Sequence, residues 1–479
     1  MLTTAKWLQN ICAREKRLKG TFKTTAGEIA AVTGGKIISG SADVIIETIS
    51  TDSRELGENT LFIPIVGETF DGHDFINELS EKRKIVCSLT MNEGYEKSAV
   101  DSGTVLILCD NTLHALGRIG KFHRDKFKPV TLGVTGTNGK TTTKELIYAV
   151  LSSAYKTHKN IKNYNNEIGV PFTLLQLDES HEAAVIEMGM NHTGEIERLS
   201  LMVSPDFGMI TNVGAGHLEF LGSMENVAFA KSEIIKGMKT GSTLIVNKDT
   251  ECFHIIKKLA DESGIKLFRY GLGADADLRP DSFKLTAEKT VVVYKKETVT
   301  VPLYGKHNVY NILAALSAAE MLNIKISRAA EALSNFVNVG GRSEIIDREY
   351  TVINDTYNSN PLSSLFALES VCEVFPGRRK IAVLADMKEL GESSCVYHVK
   401  VGEFAGARKF DHLLFYGEMA EYYEKGALSA GMNPSSVKIF DTKEDIADYL
   451  KGYLKERDVV LVKGSRSMKM EDVVNRLIA

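Results

Sequence analysis

Residues Thr131–Thr143 read TLGVTGTNGKTTT, and the organisation of the chain follows from them. A short apolar run, Val130–Val134, ends in a glycine-rich turn that leads directly into Lys140 and Thr141. The next stretch, KELIYAVLSSAY, repeats its apolar residues at helical spacing (Leu146, Ala149, Val150, Ala154), so the turn is predicted to open a helix. Strand, glycine turn, Lys-Thr and helix make a phosphate cradle, because free backbone N–H groups and the positive end of the helix dipole face the anion. In such a cradle Lys140 reaches the terminal phosphates and the Thr141 hydroxyl ligates the accompanying magnesium. The general pattern wants a glycine five residues before Gly139; that position is Val134, and the glycines fall at Gly133, Gly136 and Gly139. An ordinary strand-to-helix turn competes with this reading, but GTNGKT between a strand and a helix argues against it. Nucleotide binding through Gly136, Thr137, Asn138, Gly139, Lys140, Thr141 and Thr142 is the expectation.

Working outward, the chain of 479 residues is long enough for about three domains at roughly 150 residues each. Hydrophobic residues at 43% and charged residues at 25% are globular values. A net charge of -4 leaves no basic surface of the size nucleic acid requires, so no nucleic-acid partner is expected. The six cysteines (Cys12, Cys87, Cys109, Cys252, Cys372, Cys395) are scattered, without the close pairs of a metal knuckle, as suits a reducing compartment. Charges interrupt MLTTAKWLQNICAREKRLKG before an apolar core develops, which predicts no signal peptide. No run approaches the roughly eighteen apolar residues of a membrane span. A soluble, cytoplasmic protein is expected.

The fold class expected is α/β in three domains. Residues 1–128 read as a small mixed α/β domain: a basic helical extension over the first twenty or so, β-like runs at Val44–Ile49, Leu61–Ile65, Ile85–Leu89 and Val105–Leu108, and a helix from Asn111 to Phe127. Its polar clusters, Thr51–Arg54 and Glu68–His73, are ordinary solvated loops when taken alone. Residues 129–340 read as a P-loop-type domain with a parallel sheet, including strands Ala183–Met188 and Phe207–Thr211 and an antiparallel excursion over residues 278–304. Ligands gather at the carboxyl ends of such strands, where Glu187 and the polar run Asn212–His217 fall. Residues 341–479 read as a Rossmann-like domain, with strands Thr351–Asp355, Ile381–Ala385, Leu413–Tyr416, Val437–Phe440 and Val459–Val462. Asn360-Pro361 is a good helix start, and Gly340-Gly341 a plausible hinge.

The helix after His217, MENVAFAKSEIIKGM, places Met224, Val227, Ala228, Ile234 and Ile235 on one stripe. Lys231 lies midway along that stripe. Burying a lysine costs several kcal/mol unless its charge is removed or paired. From periodicity alone, a snorkelling side chain or a buried ion pair is favoured.

The motifs around this lysine change that weighting. TGTNGKTTTKEL, NNEIGVPFTLL, VIEMGMNHTGEI, TNVGAGHLEFLGSMENVAFAKSEI, GKHNVYNILAAL, GRSE, INDTYNSNP and LVKGSRSMKMEDVV occur in that order across nearly the whole chain. Together they resemble the Mur ligases, ATP-dependent amide-forming enzymes of peptidoglycan precursor synthesis, whose own phosphate loop has this glycine spacing. GETFDGHDFI, NNEIGVPFTLL, DTYNSNP with DMKELGE, and VKGSRSMKME are most similar to members that join D-alanyl-D-alanine to UDP-N-acetylmuramoyl-tripeptide. The resemblance implies an N-terminal domain for the UDP-sugar peptide, a central domain for ATP, and a C-terminal domain closing over ATP and the dipeptide. It implies attack of a substrate carboxylate on the γ-phosphate, then attack of the dipeptide amine on the resulting acyl phosphate. It also implies a cytoplasmic setting, and a monomer is expected.

Residue by residue, the resemblance implies that Thr141 and Glu187 hold the magnesium bridging the β- and γ-phosphates. His217, and Lys231 as its carbamate, then hold a second magnesium, with Lys140, Glu187, His217 and Lys231 forming the catalytic set. Asn308 and Asn311 open a helix and contact adenine; helix capping is the competing reading, and for Asn308 the two are compatible. Arg342 and Asp355 reach the nucleotide after closure. Asn358 and Asn360 handle the dipeptide, with turn formation a strong competitor, and Ser53 and Arg54 contact the UDP portion. The alternatives are a sibling Mur ligase, a folate polyglutamylating enzyme of similar fold, or a P-loop binding module without ligase activity. The last has no use for the set Glu187, His217 and Lys231.

Overall fold

The computed structural model describes residues 22–67, 69–161, 163–337 and 342–479. The basic N-terminal extension, Cys12, Glu68 and the Gly340-Gly341 hinge lie outside the described residues. The chain is α/β throughout and divides into two compact units. One comprises Met1–Thr131, Lys156–Met188 and Arg198–Pro205; the other comprises Leu132–Tyr155, Gly189–Glu197 and Asp206–Ala479.

The first unit contains a five-stranded sheet in the order Lys36–Ser39, Val105–Leu108, Cys87–Thr90, Thr60–Phe62, Thr48–Ser50. The first pair is antiparallel and the rest parallel. Leu61, Leu89 and Ile107 bury their side chains against Ile29 and against Leu116 and Ile119 of helix Thr112–Phe127. That helix starts where the sequence places it, with the Asn111 side chain accepting from His114 N. Helices Ala26–Thr33 and Ile76–Glu81 are additions to the reading. The first carries a legible signal, a capping box in which Thr25 and Glu28 satisfy each other's backbone N–H groups. In the cluster ending at His73, Asp71 caps a short 3-10 turn and His73 is fully buried, its Nε2 accepting from Met91 N at 3.2 Å. Strand Ala183–Glu187, with Glu187 at its carboxyl end, pairs in parallel with Thr157–Lys159.

In the second unit Leu132–Thr135, the part of strand Val130–Thr135 that leads into the phosphate loop, lies beside Phe207–Ile210, followed by Thr243–Asn247 and Lys266–Tyr270, all parallel. Thr135, Ile210, Asn247 and Tyr270 end these strands on one edge, so the loops that follow converge there. The excursion over residues 278–304 is a three-stranded antiparallel sheet, Ser282–Leu285, Thr290–Tyr294 and Glu297–Val301. The C-terminal sheet runs Glu344–Asp347, Thr351–Asp355, Val459–Lys463, Lys380–Ala385, His412–Tyr416, Val437–Phe440, parallel except for its first pair. Its central strands are apolar apart from one terminal lysine each, Lys380 and Lys463, as burial on both faces demands. Pro361 opens helix Pro361–Val374 beneath its cap Asn360, as predicted.

Helices Ser394–Ala407 and Ala420–Ser429 of this region meet through glycines. A Cβ on Gly402 would collide with the Tyr423 carbonyl oxygen, and one on Gly426 with that of Val399. The crossing is therefore backbone against backbone. Gly426→Ala is expected to cost roughly 1–3 kcal/mol by overpacking, despite its better helix propensity. Chemical unfolding measures this, and a midpoint at or above the parent's would show that the helices part without penalty.

Candidate active site

The loop Gly136–Gly139 owes its shape to two glycines and two neighbouring side chains. Gly136 has φ +143 and Gly139 φ +77. A Cβ on Gly136 would collide with Thr211 Oγ1, and one on Gly139 would press on Asn311 Oδ1. Thr211 Oγ1 donates to Asn138 O at 2.7 Å, and Asn212 Oδ1 accepts from Asn138 N at 2.9 Å. The loop is thus held from the next strand's end, ahead of helix Lys140–Ser152. The Lys140 ammonium donates to Gly136 O at 2.7 Å and Thr137 O at 3.1 Å, curling over the loop.

Asn308 and Asn311 lie on helix His307–Met321, both buried. They brace the loop from behind. Asn311 Oδ1 accepts from Thr143 Oγ1 at 3.1 Å, and its amide donates to Asn308 Oδ1 at 2.8 Å. Asn308 in turn donates to Tyr304 O, so its side chain bonds a preceding carbonyl instead of capping helix N–H groups. Asn311 borders a cavity of about 230 Å³ that Gly139, Arg342, Asp355, Asn358 and Asn360 also line, whereas Asn308 does not.

Residues absent from the sequence reading complete this cavity: Asp249, Tyr310, His307 and Lys463. Tyr310 OH donates to Asp249 Oδ2 at 3.2 Å. Burial pulls the His307 imidazole down to about 4, leaving it neutral at pH 7. Lys463 ends an otherwise apolar strand within a motif that the family resemblance quotes, and that was its only signal. It is the parallel neighbour of Asp355, with Nζ 2.6 Å from Asp355 Oδ2 and 2.9 Å from Asn358 O.

Arg342 stacks over the Tyr357 ring at 3.8 Å and donates to Thr141 Oγ1 at 3.2 Å, just after the phosphate loop. Asn358 bonds locally, its Oδ1 accepting from Ser359 N at 2.9 Å. Asn360 both caps its helix and pairs with Asn138. Ser53 and Arg54 belong to the other unit. There Arg54 grips Asp52 with Nε and Nη2 while its side chain stays mostly exposed.

Lys231 is fully buried in helix Met224–Ser232, and among the described residues its amine has no hydrogen-bond partner. Burial and the Lys140 charge drive its pKa far down, with Glu195 and Glu233 opposing. Neither the snorkelling side chain nor the buried ion pair that periodicity alone favours is found among the described residues. His217 sits at φ +58, its Nδ1 2.7 Å from Glu389 Oε2 of the DMKELGE stretch. Burial lowers its pKa against the pull of Glu389, and the nearby Lys140 charge acts in the same direction as burial. Lys140, His217 and Lys231 are therefore one electrostatic group. Glu187, in the other unit, accepts from Asn165 Nδ2 at 2.7 Å, and Asn160 bonds both its N–H and its carbonyl.

Among the described residues no three His, Cys, Asp or Glu side chains form a ready-made metal cluster. Magnesium favours hard oxygen donors and retains waters, so a few carboxylate-like ligands suffice. The Thr141 hydroxyl and the Glu187 carboxylate are such donors, and a carbamate on the orphaned Lys231 amine would be another. His217 has Nε2 to offer while Nδ1 faces Glu389, the usual orientation of a ligating imidazole. Thr141, His217 and a carbamylated Lys231, all of the second unit, suit such an ion in their chemistry.

Burial alone would raise the Asp355 pKa, but Lys463 outweighs it and holds the carboxyl below the ordinary carboxylate range. A carboxylate with a lowered folded-state pKa stabilises fully above its unfolded value of about 3.9, and loses this as pH falls through the folded value. Lys463→Met is expected to cost roughly 3–5 kcal/mol at pH 7 by leaving a buried carboxylate unpaired. The gap to the parent in chemical unfolding should narrow towards pH 4, whereas a gap independent of pH would mean that lost packing causes it.

Two family models match the chain: the Mur ligase middle domain over residues 134–319, and the Mur ligase, glutamate ligase domain over residues 341–466. A UDP-N-acetylmuramoyl-tripeptide–D-alanyl-D-alanine ligase of Bacillus subtilis (strain 168) is 35% identical over 464 residues, 95% of this chain and 99% of that protein. The crystal structure of MurF from Acinetobacter baumannii superposes with a TM-score of 0.87 at 27% identity, covering 96% of this chain and 99% of that one. The MurF ligase of Thermotoga maritima in complex with ADP gives 0.77 at 27% identity, covering 90% and 96%. The phosphate loop, the buried lysine beside it and likeness over almost the full length agree: the chain belongs to the Mur ligase family, on the branch of the UDP-N-acetylmuramoyl-tripeptide–D-alanyl-D-alanine ligases.

Proposed function

We propose that this chain joins D-alanyl-D-alanine to a UDP-N-acetylmuramoyl-tripeptide, converting ATP to ADP and phosphate, in the cytoplasm and as a monomer. The observation that carries the reading is the group Lys140, His217 and Lys231, a phosphate-loop lysine beside a buried amine that lacks a partner. A bare nucleotide-binding module would have no use for it.

In the first step a carboxylate oxygen of the tripeptide attacks the γ-phosphorus, and the bond to the β,γ-bridging oxygen breaks with its electron pair going to ADP. In the second, the dipeptide amine attacks the acyl carbon, phosphate leaves, and the amine sheds a proton. Carboxylate and triphosphate repel each other, so the barrier is chiefly electrostatic. The N–H groups that open helix Lys140–Ser152 and the Lys140 ammonium face the phosphates, and Arg342 adds a second cation at Thr141. Magnesium would neutralise phosphate charge when bound, with one ion assigned to Thr141 and Glu187 and a second to His217 and carbamylated Lys231. Asn311 lies where an adenine amide contact is available, with Asn308 as its support. Asp355 fixes Lys463 at the cavity wall and Asn358 stands beside the dipeptide's path. Ser53 and Arg54 are assigned to the UDP portion.

Carbamate formation follows from the state of Lys231. A neutral amine attacks the carbon of dissolved CO2, an N–C bond forms, one C=O electron pair moves to oxygen, and the amine proton passes to water. The product is an anionic oxygen ligand where an ammonium would repel a metal.

Two outcomes test the reading. With UDP-muramoyl peptides and D-dipeptides supplied as a panel, Lys140→Ala should lower kcat on the order of a hundredfold to a thousandfold; near-parent ligation would remove Lys140 from the mechanism. Lys231→Ala should be nearly inactive yet bind ADP, and added short-chain carboxylic acid should restore part of the rate. In the parent, 13C-labelled bicarbonate should give a carbamate carbon signal that Lys231→Ala lacks. Full activity of Lys231→Ala, or no such signal, would sink the carbamate.

A further inference from the structure

Asn138 and Asn360 come from elements 222 residues apart in sequence, yet their side-chain amides face each other as a reciprocal pair. Asn138 Nδ2 donates to Asn360 Oδ1 at 3.1 Å, and Asn360 Nδ2 donates to Asn138 Oδ1 at 2.7 Å. Each amide both gives and receives, so neither has a donor or acceptor left over on that side. The Asn138 backbone is secured separately by Thr211 and Asn212. The side-chain pair therefore adds something the loop does not need merely to stay folded: a tie to the C-terminal region. Asn360 is well placed to hold it, because it is fixed as the cap of helix Pro361–Val374, where its Oδ1 also accepts from Ser363 N at 2.9 Å.

We infer that Asn360 is a positioning residue for the phosphate loop, holding Asn138 and so making nucleotide affinity depend on docking of the C-terminal region. Asn360 then acts on the nucleotide through Asn138 instead of touching the dipeptide. Because coupling between binding and docking is reciprocal, nucleotide binding equally favours the docked arrangement. This inference rests on reading the loop as the nucleotide site, and it deepens that reading by adding a residue no phosphate-loop pattern contains.

The test exploits the two separable jobs of Asn360. Serine caps a helix as well as asparagine does but cannot reach across to Asn138. Asn360→Ser should therefore keep the parent's thermal midpoint while losing two neutral hydrogen bonds. ADP binding is measured by calorimetry on the full-length protein with no UDP-peptide or dipeptide present. The expected result is affinity weakened about threefold to thirtyfold in Asn360→Ser, and similarly in Asn138→Ala. The double variant should bind ADP no more weakly than the weaker single variant. Unchanged ADP affinity in Asn360→Ser, with only the KM for the dipeptide raised, would overturn the inference and return Asn360 to the substrate. Losses that multiply in the double variant would also overturn it, since the two residues would then act independently. If the parent itself fails to bind ADP, the nucleotide reading of the loop fails along with the inference; if the parent binds and the variants match it, only the inference fails.

Discussion

A loop that offers its backbone N–H groups to an anion cannot spend them on its own structure, so something else must hold it. Here that support comes from Thr211 and Asn212, at the end of the neighbouring strand, bonding the Asn138 backbone. The requirement propagates. The strand must be parallel and in register with the one entering the loop. The loop must be glycine where Thr211 and Asn311 press against it. The helix behind must bring an amide to Thr143, which accounts for the buried Asn311–Asn308 chain.

The second constraint is desolvation around Lys231. A primary amine buried on an apolar helix face, with the Lys140 cation nearby, cannot remain an ammonium without a partner. The fold supplies carboxylates at a distance, Glu195 and Glu233, but Glu233 accepts from the N–H groups of Gly194 and Glu197. The amine is thus left without a hydrogen-bond partner among the described residues, and its burial holds its pKa far down. His217 is treated differently, since one ring nitrogen lies 2.7 Å from Glu389 Oε2. A C-terminal residue therefore orients a side chain of the nucleotide-binding region.

The C-terminal region reaches the loop through side chains of several kinds: the Arg342 guanidinium at Thr141, the Asn360 amide at Asn138, and the Glu389 carboxylate at His217. None of them is a large apolar contact. Polar, directional contacts of this sort cost little to break in water and much to leave unsatisfied when buried, which suits a surface that must dock and release.

The sequence by itself determined the fold class, most strands and helices, and the phosphate loop, because these depend on local spacing: apolar periodicity, glycine positions and Asn360-Pro361. It also singled out Lys231, since a lysine on an apolar stripe is a local contradiction. It overlooked helix Ala26–Thr33, although its Thr25…Glu28 capping box is a short-range signal. What only the tertiary structure decided is which distant side chains meet. Lys463 beside Asp355 depends on strand order, because those strands are neighbours only after the chain has crossed three others. Asn360 on Asn138, and Asn311 on Thr143 with Asn308 as its brace instead of a cap, depend on packing between elements 222 and 168 residues apart. An asparagine forms a turn, a cap or an amide pair with equal ease, and only its neighbours in space choose among them.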